Sequence, residues 1–347
     1  MNTSRTGIGR RLQACAIRSA VLALGFVGFC TGTASAVDAA SWEKTLEAAK
    51  LEGSVSLYVS VAPAQVDAVI AGFNTAYPGI KLEVFRNADS VINQKIQQEL
   101  SLHAIGADVI FSTKNNFYTE LKNEGALVLP QVPAFAEAGS KSYLDVAPIV
   151  SRLPLLVAYN TDIVKSSPRN YEDFLAPEFN GMLGIPVVDG SPITTAWWEF
   201  LRVNHPGYWE KLAAFKPKVY ASSVPLSQAL ASGEVSAAIL ASPGSVSALI
   251  NKGAAIKMVA PDRVFGMDLL VSVFKDAKHP NAALVLADFL LSKAGQEAIN
   301  SGGLGVSIMP DIPGALPPIA MVTADPGKQT AEKMKGVIAD WRNVFGK

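Results

Sequence analysis

The sequence is poor in the side chains that most chemistry depends on. Its two cysteines, Cys15 and Cys30, both fall within the first 30 residues, so the chain beyond them has neither disulfide nor thiol chemistry. Histidine occurs three times, at His103, His205 and His279, each beside a helix end or a turn and none near a nucleophile motif. No G-x-S-x-G and no H-E-x-x-H is present, and no His/Cys/carboxylate group has metal-ligand spacing. Gly302-Gly303-Leu304-Gly305 follows a helical pattern rather than a strand, which disqualifies it as a phosphate loop. Charge is balanced at 30 basic and 30 acidic residues, so there is no footprint for nucleic acid. No internal repeat or low-complexity segment is present. These absences argue against an enzyme, a resident metal or cofactor, and a nucleic-acid binder.

What is present is apolar bulk. Apolar residues make up 49% of the chain and charged residues 17%, which excludes disorder, and 347 residues is ample for two domains. The first 36 residues read as a cleaved export signal. Arg5, Arg10, Arg11 and Arg18 form a basic start, residues 20–29 an apolar run too short to span a bilayer, and Ala34-Ser35-Ala36 a small-x-small cleavage pattern. Arg10-Arg11 also resembles a twin-arginine signal. Val27-Gly28-Phe29-Cys30 resembles a lipoprotein box, against which the bulky Phe29 argues. Removing the four leader arginines from the 30 basic residues leaves the exported chain with an excess of four acids.

Beyond the leader the apolar periodicity predicts helices at 42–51, 63–76 and 91–103, alternating with strands at 55–59, 80–85 and 107–111 and followed by a helix through Leu121. Residues 125–150 are rich in Pro, Ala and Gly and carry no clear period. A strand at 153–159 then opens a second series: strands 183–186, 219–221, 236–240 and 256–259, and helices 192–203, 206–215, 225–232 and 243–251. A strand at 269–274 and helices 280–292 and 293–301 close it. Alternation without hairpin turns predicts parallel strands with right-handed crossovers, an α/β architecture.

One local feature occurs four times: a strand ends, a short loop follows, and a helix opens on proline. The loops are Ser60-Val61-Ala62-Pro63, Gly190-Ser191-Pro192, Ser222-Ser223-Val224-Pro225 and Ala241-Ser242-Pro243. Proline suits the first helical position and serine the cap before it. Singly, each is an ordinary helix start. Together they lie at the carboxyl ends of strands, where open α/β sheets bind ligands, and helix N-termini suit an anion. Ser60, Ala62, Ser191, Thr194, Ser222, Ser223 and Ser242 are therefore candidate ligand contacts. Arg86 and Asn87, after the second strand, and Ser112 and Thr113, after the third, complete the set. Asp89 and Lys114 are charged neighbours, Arg152 sits at the expected crossover, and Trp197 and Trp198 read as core.

Val55-Ser56-Leu57-Tyr58, Ala107-Asp108-Val109-Ile110-Phe111, Val157-Ala158-Tyr159-Asn160-Thr161-Asp162, Ser232-Gly233-Glu234-Val235 and Phe274-Lys275-Asp276-Ala277-Lys278-His279-Pro280-Asn281-Ala282-Ala283 are phrases of a known family, continued by Phe289-Leu290-Leu291-Ser292 and Gly295-Gln296. The chain resembles the family-1 extracellular solute-binding proteins, and most closely their ferric-ion-binding branch. The resemblance implies an α/β chain with the type II periplasmic-binding-protein fold: two α/β lobes joined by two crossover strands, with a ligand cleft between them. Residues 37–152 and 262–318 would form the N-terminal lobe and 153–261 the C-terminal lobe. Residues 319–347 are a C-terminal helical segment of unassigned lobe. The positions that match the branch's iron ligands read Ala62, Thr113, Pro243 and Gly244, none of them a hard anionic ligand. Those matching its synergistic-anion site, Gly190-Ser191-Pro192 and Ser223, stay polar.

The expectation is a monomeric periplasmic protein, with no cofactor or resident metal, that captures a small organic anion such as a carboxylate, phosphonate or sugar phosphate. It would close by hinge bending and deliver the solute to the permease and ATPase subunits of an ABC importer. Ferric-iron, polyamine or thiamine binding, an exported enzyme and a ligand-presenting sensor subunit are the alternatives.

Overall fold

The computed structural model describes residues 38–346; the leader lies outside the described residues. Helix and strand alternate first through α1 (Ala39–Glu52), β1 (Ser54–Val59), α2 (Pro63–Ala76), β2 (Lys81–Arg86), α3 (Asp89–Ser101), β3 (Val109–Thr113) and α4 (Phe117–Asn123). The segment without clear period holds β4 (Leu127–Val128), α5 (Pro133–Ala138) and β5 (Ser142–Tyr143) and runs into the long β6 (Ala147–Asn160). The second series is β7 (Leu183–Pro186), α6 (Pro192–Asn204), α7 (Tyr208–Ala214), β8 (Lys218–Tyr220), α8 (Ser223–Ser232), β9 (Ala237–Ala241), α9 (Pro243–Asn251) and β10 (Ile256–Val259). The long β11 (Val264–Phe274) leads to α10 (Pro280–Leu291), α11 (Lys293–Asn300), β12 (Val306–Ser307), β13 (Met321–Thr323) and α12 (Ala331–Phe345).

The strand order is β2-β1-β3-β11-β6-β9-β7-β8. Two parallel sets stand at its ends, β2-β1-β3 and β9-β7-β8, as the βαβ pattern predicts. The middle departs from the expected parallel sheet. β11 is antiparallel to both β3 and β6, and β6 is antiparallel to β9 and β10. These two strands are joined by a whole lobe rather than by one crossover helix, so the handed βαβ rule does not govern their direction. β6 pairs with β11 through Leu155 and with β9 from Leu156 onward, so the strand changes partners in its interior.

Each half buries its own core. In the first, Val55, Leu57, Val109 and Phe111 of the sheet pack with Phe73 of α2 and Leu286 and Phe289 of α10. The other face packs Ile110 against Tyr118 and Leu121 of α4 and Ile92 and Ile96 of α3. In the second, Trp198 lies 4.7 Å from Trp197, 5.6 Å from Trp209 and 5.7 Å from Trp341, ring centre to ring centre. Trp197 and Trp198 are fully buried, as core residues should be. Trp341 brings α12 onto this same cluster, so the C-terminal helix packs with the second series.

Two helix starts differ from expectation. α8 opens at Ser223 with Ser222 before it, two residues upstream of Pro225, so this proline sits inside the first turn rather than at its head. At the α9 start, the Ser242 hydroxyl meets the Ser245 hydroxyl at 2.8 Å and makes no backbone cap bond. Ser191 does cap, accepting the Thr194 N–H at 3.2 Å.

A candidate solute cleft

Short-range geometry stitches the second-series helix starts together. A side-chain carbon added at Gly190 would lie 2.8 Å from the Ala221 carbonyl, so only glycine lets the α6 loop approach the α8 loop this closely. The α8 and α9 starts are linked through hydroxyls: Ser227 Oγ donates to Ser245 Oγ at 3.1 Å, which in turn meets Ser242. Across from them, a carbon added at Gly244 would sit 3.8 Å from the Ala62 side chain. The α2 start of the first series and the α9 start of the second therefore face each other in near contact.

On one side of that contact is a cleft of about 680 Å³, lined by small residues including Ala62, Pro63, Gly244 and Ser247. Elsewhere a larger cleft of about 930 Å³ is bounded by the polar face of α3 and the β3–α4 loop. Its opposite wall is the α6 start, Gly190 to Ile193, with Met267 and Asp268 of β11 and the segment before and into α12 completing it. This cleft brings together Thr113 and Ser191, two of the residues singled out from sequence, with Asp89 and Lys114 beside them.

The remaining candidates lie outside its lining. Ser112 is fully buried and meets the Tyr118 hydroxyl at 3.0 Å, a core pair rather than a ligand contact; burial pushes the Tyr118 phenol far above its usual range and keeps it neutral. Arg86 is exposed and its Nε donates to the Val61 carbonyl at 2.9 Å, fastening β2 to the loop before α2. Asn87 turns back on the Ala88 N–H at 2.9 Å. Ser60 keeps a buried hydroxyl without a partner. Thr194 meets Ser191 at 2.8 Å. Ser222 is exposed and Ser223 half-buried, beside rather than in the larger cleft. Ala62 lines the smaller cleft.

The sequence reading missed most of the α3 wall. Asp89, Asn93 and Gln97 recur every four residues and all line the larger cleft. Thr113 Oγ1 donates to Asp89 Oδ2, while Asp89 Oδ1 and Asn93 Oδ1 are buried without a partner. At the floor, Asp268 is 3% exposed and lies between two cations, Lys114 Nζ at 3.2 Å and Arg152 Nε at 3.4 Å. Lys114 also stands 5.1 Å over the Tyr143 ring.

A serine–histidine pair that the sequence did not show exists elsewhere. Ser54 Oγ lies 3.2 Å from His279 Nε2, and His279 Nδ1 lies 2.8 Å from Asp108 Oδ2. The order is that of a hydrolytic triad. Its position is at the amino ends of β1 and β3, and neither cleft is lined by Ser54 or His279. The Asp108 carboxylate also accepts the Ser56 N–H at 2.8 Å and the His279 N–H at 3.0 Å. It joins two strands to the start of α10, a fastening that occupies both of its oxygens.

The iron-ligand positions do not fit a metal: Ala62 and Gly244 offer no donor, Pro243 has no free N–H, and Thr113 is bonded to Asp89. Among the described residues no group of three or more His, Cys, Asp or Glu side chains is placed to hold an ion.

No curated protein matches the chain by sequence. Among solved structures it is similar to the substrate-binding protein of an ABC transporter from Agrobacterium tumefaciens, at TM-score 0.68 and 18% identity over 84% of this chain and 94% of that one. It is also similar to iron-bound HitA from Pseudomonas aeruginosa, at TM-score 0.63 and 20% identity over 84% and 99%. The periplasmic binding protein AfuA from Actinobacillus pleuropneumoniae, with fructose-6-phosphate bound, matches at TM-score 0.57 and 18% identity over 85% and 99%. These likenesses show the type II periplasmic-binding fold. The sequence profile described as "bacterial extracellular solute-binding protein" matches residues 59–297, and the chain belongs to that family.

Proposed function

We propose that the protein is the solute-capturing component of an ABC importer, working in the periplasm as a monomer after its leader is removed. It closes by hinge bending on a small organic anion and hands it to a membrane permease with its ATPase. The observation that supports this reading is the meeting of Thr113 and Ser191, from facing walls, in one cleft of about 930 Å³ with Lys114 beside them. Lys114 spends one of its three N–H donors on Asp268 and can offer another to a carboxylate, phosphonate or phosphate.

The α6 helix start contributes less than its sequence suggests. Pro192 has no N–H and Ser191 already takes the Thr194 N–H, leaving Ile193 as the free donor of the first turn. Lys114 and the Ser191 hydroxyl therefore matter more than the helix terminus.

A thermal-shift screen of carboxylates, phosphonates, sugar phosphates, polyamines, thiamine and Fe(III) tests the reading. A ligand of the native state stabilises it by about 2.7 kcal/mol at a hundred times its dissociation constant. A shift with one class of organic anion supports the reading; a shift confined to amines or iron rejects it. Asp89 and Glu120 in the same lining favour an amine-bearing solute as the second reading.

A further inference from the structure

The α3 wall of the large cleft has an unmet need. Asp89 opens that helix, and Asn93 lies one turn further along the same face, so their side chains stand about 5–6 Å apart at their first carbons. Each presents a buried oxygen, Asp89 Oδ1 and Asn93 Oδ1, that accepts from no group of the protein. Both residues line the cleft. Buried acceptors are nearly always satisfied, so two of them on one wall of one cavity call for donors from outside the chain. The protein's own nearby cation does not supply them: Lys114 Nζ bonds Asp268 at 3.2 Å and makes no bond to either oxygen. The carboxylate of Asp89 is half used, because Thr113 occupies its other oxygen.

We infer that Asp89 and Asn93 form an acceptor pair that selects a hydroxylated organic anion, a sugar phosphate or sugar acid, over an anion without hydroxyls. The inference rests on the proposed capture of an organic anion in this cleft and names the class. Two hydroxyls on one carbon skeleton give one donor to each oxygen. The anionic end lies toward Lys114 and Ser191, which draws it away from Asp89. Specificity of this kind is strong, because an analogue lacking the hydroxyl leaves both oxygens buried and unpaired.

The test is calorimetric titration of the purified protein with four kinds of probe: glucose 6-phosphate and gluconate, their hydroxyl-free analogues hexyl phosphate and hexanoate, inorganic phosphate, and the neutral polyol sorbitol. Asn93→Ala and Asp89→Ala are compared with Asn93→Asp, which keeps an oxygen at the position. Melting temperatures report that each variant is folded. The expected result is binding of a hydroxylated anion at least about 10-fold tighter than of its hydroxyl-free analogue. That preference should be lost in the two alanine variants and kept in Asn93→Asp. Equal binding of the hydroxylated anion and its analogue, unchanged in the alanine variants, overturns the acceptor pair and leaves anion capture standing. Binding of sorbitol but of no anion, weakened in the alanine variants, supports the pair and rejects the anion reading. Binding of no probe overturns both.

Discussion

Asp268 on β11 stands directly across the strand pair from Arg152 on β6, with 3.4 Å between Oδ1 and Nε. Its other oxygen takes Lys114 at 3.2 Å, so one buried carboxylate ties together both crossing strands and the cleft wall. Removing one partner of such a group leaves charge without compensation. Lys114→Met should therefore destabilise the protein by about 2 kcal/mol, the remaining Arg152 contact softening the loss. Lys114→Met combined with Asp268→Leu should recover most of it. Urea unfolding of the two variants decides; a double variant no more stable than the single one shows the pair to be uncoupled.

Asp288 gives the stability a pH dependence. Burial pushes its carboxyl up to about 6, against the Ala134 N–H bond that lowers it, with Glu137 adding to the rise. An unfolded aspartate titrates near about 3.9, so the native state holds the proton more tightly. The ionised carboxylate then costs stability that is absent below about pH 4, grows through the window to about 6 and is complete above it. At neutral pH this cost is about 2–3 kcal/mol. Asp288→Asn should be more stable than the parent at pH 7 and should flatten the slope between pH 4 and 6. Thermal or urea melts over pH 4–8 measure this, and an unchanged slope removes Asp288 as its source.

The Ser54–His279–Asp108 line should behave as a fastener. His279→Ala takes a partner from buried Asp108 and should cost about 1–3 kcal/mol, whereas Ser54→Ala should cost about 1 kcal/mol or less. Neither variant should alter solute affinity. A fluorophosphonate probe should leave Ser54 unlabelled. Labelling that disappears in Ser54→Ala would make the line a working nucleophile.

Trp341 is fully buried among Trp198 and Phe345, with ring centres 5.7 Å and 4.8 Å away. Trp341→Ala should cost about 3–5 kcal/mol by opening a cavity under α12. Denaturant unfolding followed by tryptophan fluorescence reads the loss, and a change below about 1 kcal/mol would mean that α12 adds little to the second core.

Elements that announce themselves locally were legible. α2 and α9 begin and end where the sequence put them, because proline marks the first helical position and a clear apolar stripe sets the length. β7 and β10 are likewise short apolar runs with sharp borders. The two crossing strands were foreshortened. β6 starts at Ala147 rather than 153 and β11 at Val264 rather than 269. Pro148, Arg152 and Pro154 in one, and Gly266 and Asp268 in the other, break the apolar run. Arg152 and Asp268 become admissible in a strand pair only because they meet each other, a fact more than 100 residues apart in the chain.

The cleft was partly legible for the same reason. Ser191 and Thr113 follow from the rule that sites gather beyond strand ends. Asp89 was visible only as a charged neighbour, and Asn93 and Gln97 were lost, because a polar helix stripe reads as a solvated face until an opposing wall is known. Ser112 was misjudged although a signal existed: strand alternation puts it on the face of Ile110, which packs beneath α4.

The path of the chain after α11 bears on how such a molecule can flex. β12 lies against β6 at Ser151 and Arg152, while β13 lies against the far end of β11 at Val264 to Gly266. Between them the chain first loops back, Leu316 returning beside Val306, and residues 317–320 then lead on to β13 as a third passage beside the two crossing strands. A joint of three passages lying side by side resembles a ribbon rather than a thread: it folds readily about the one axis across its width and resists twisting about the others. Connectivity of this kind favours a single bending axis for any motion of the two series against each other.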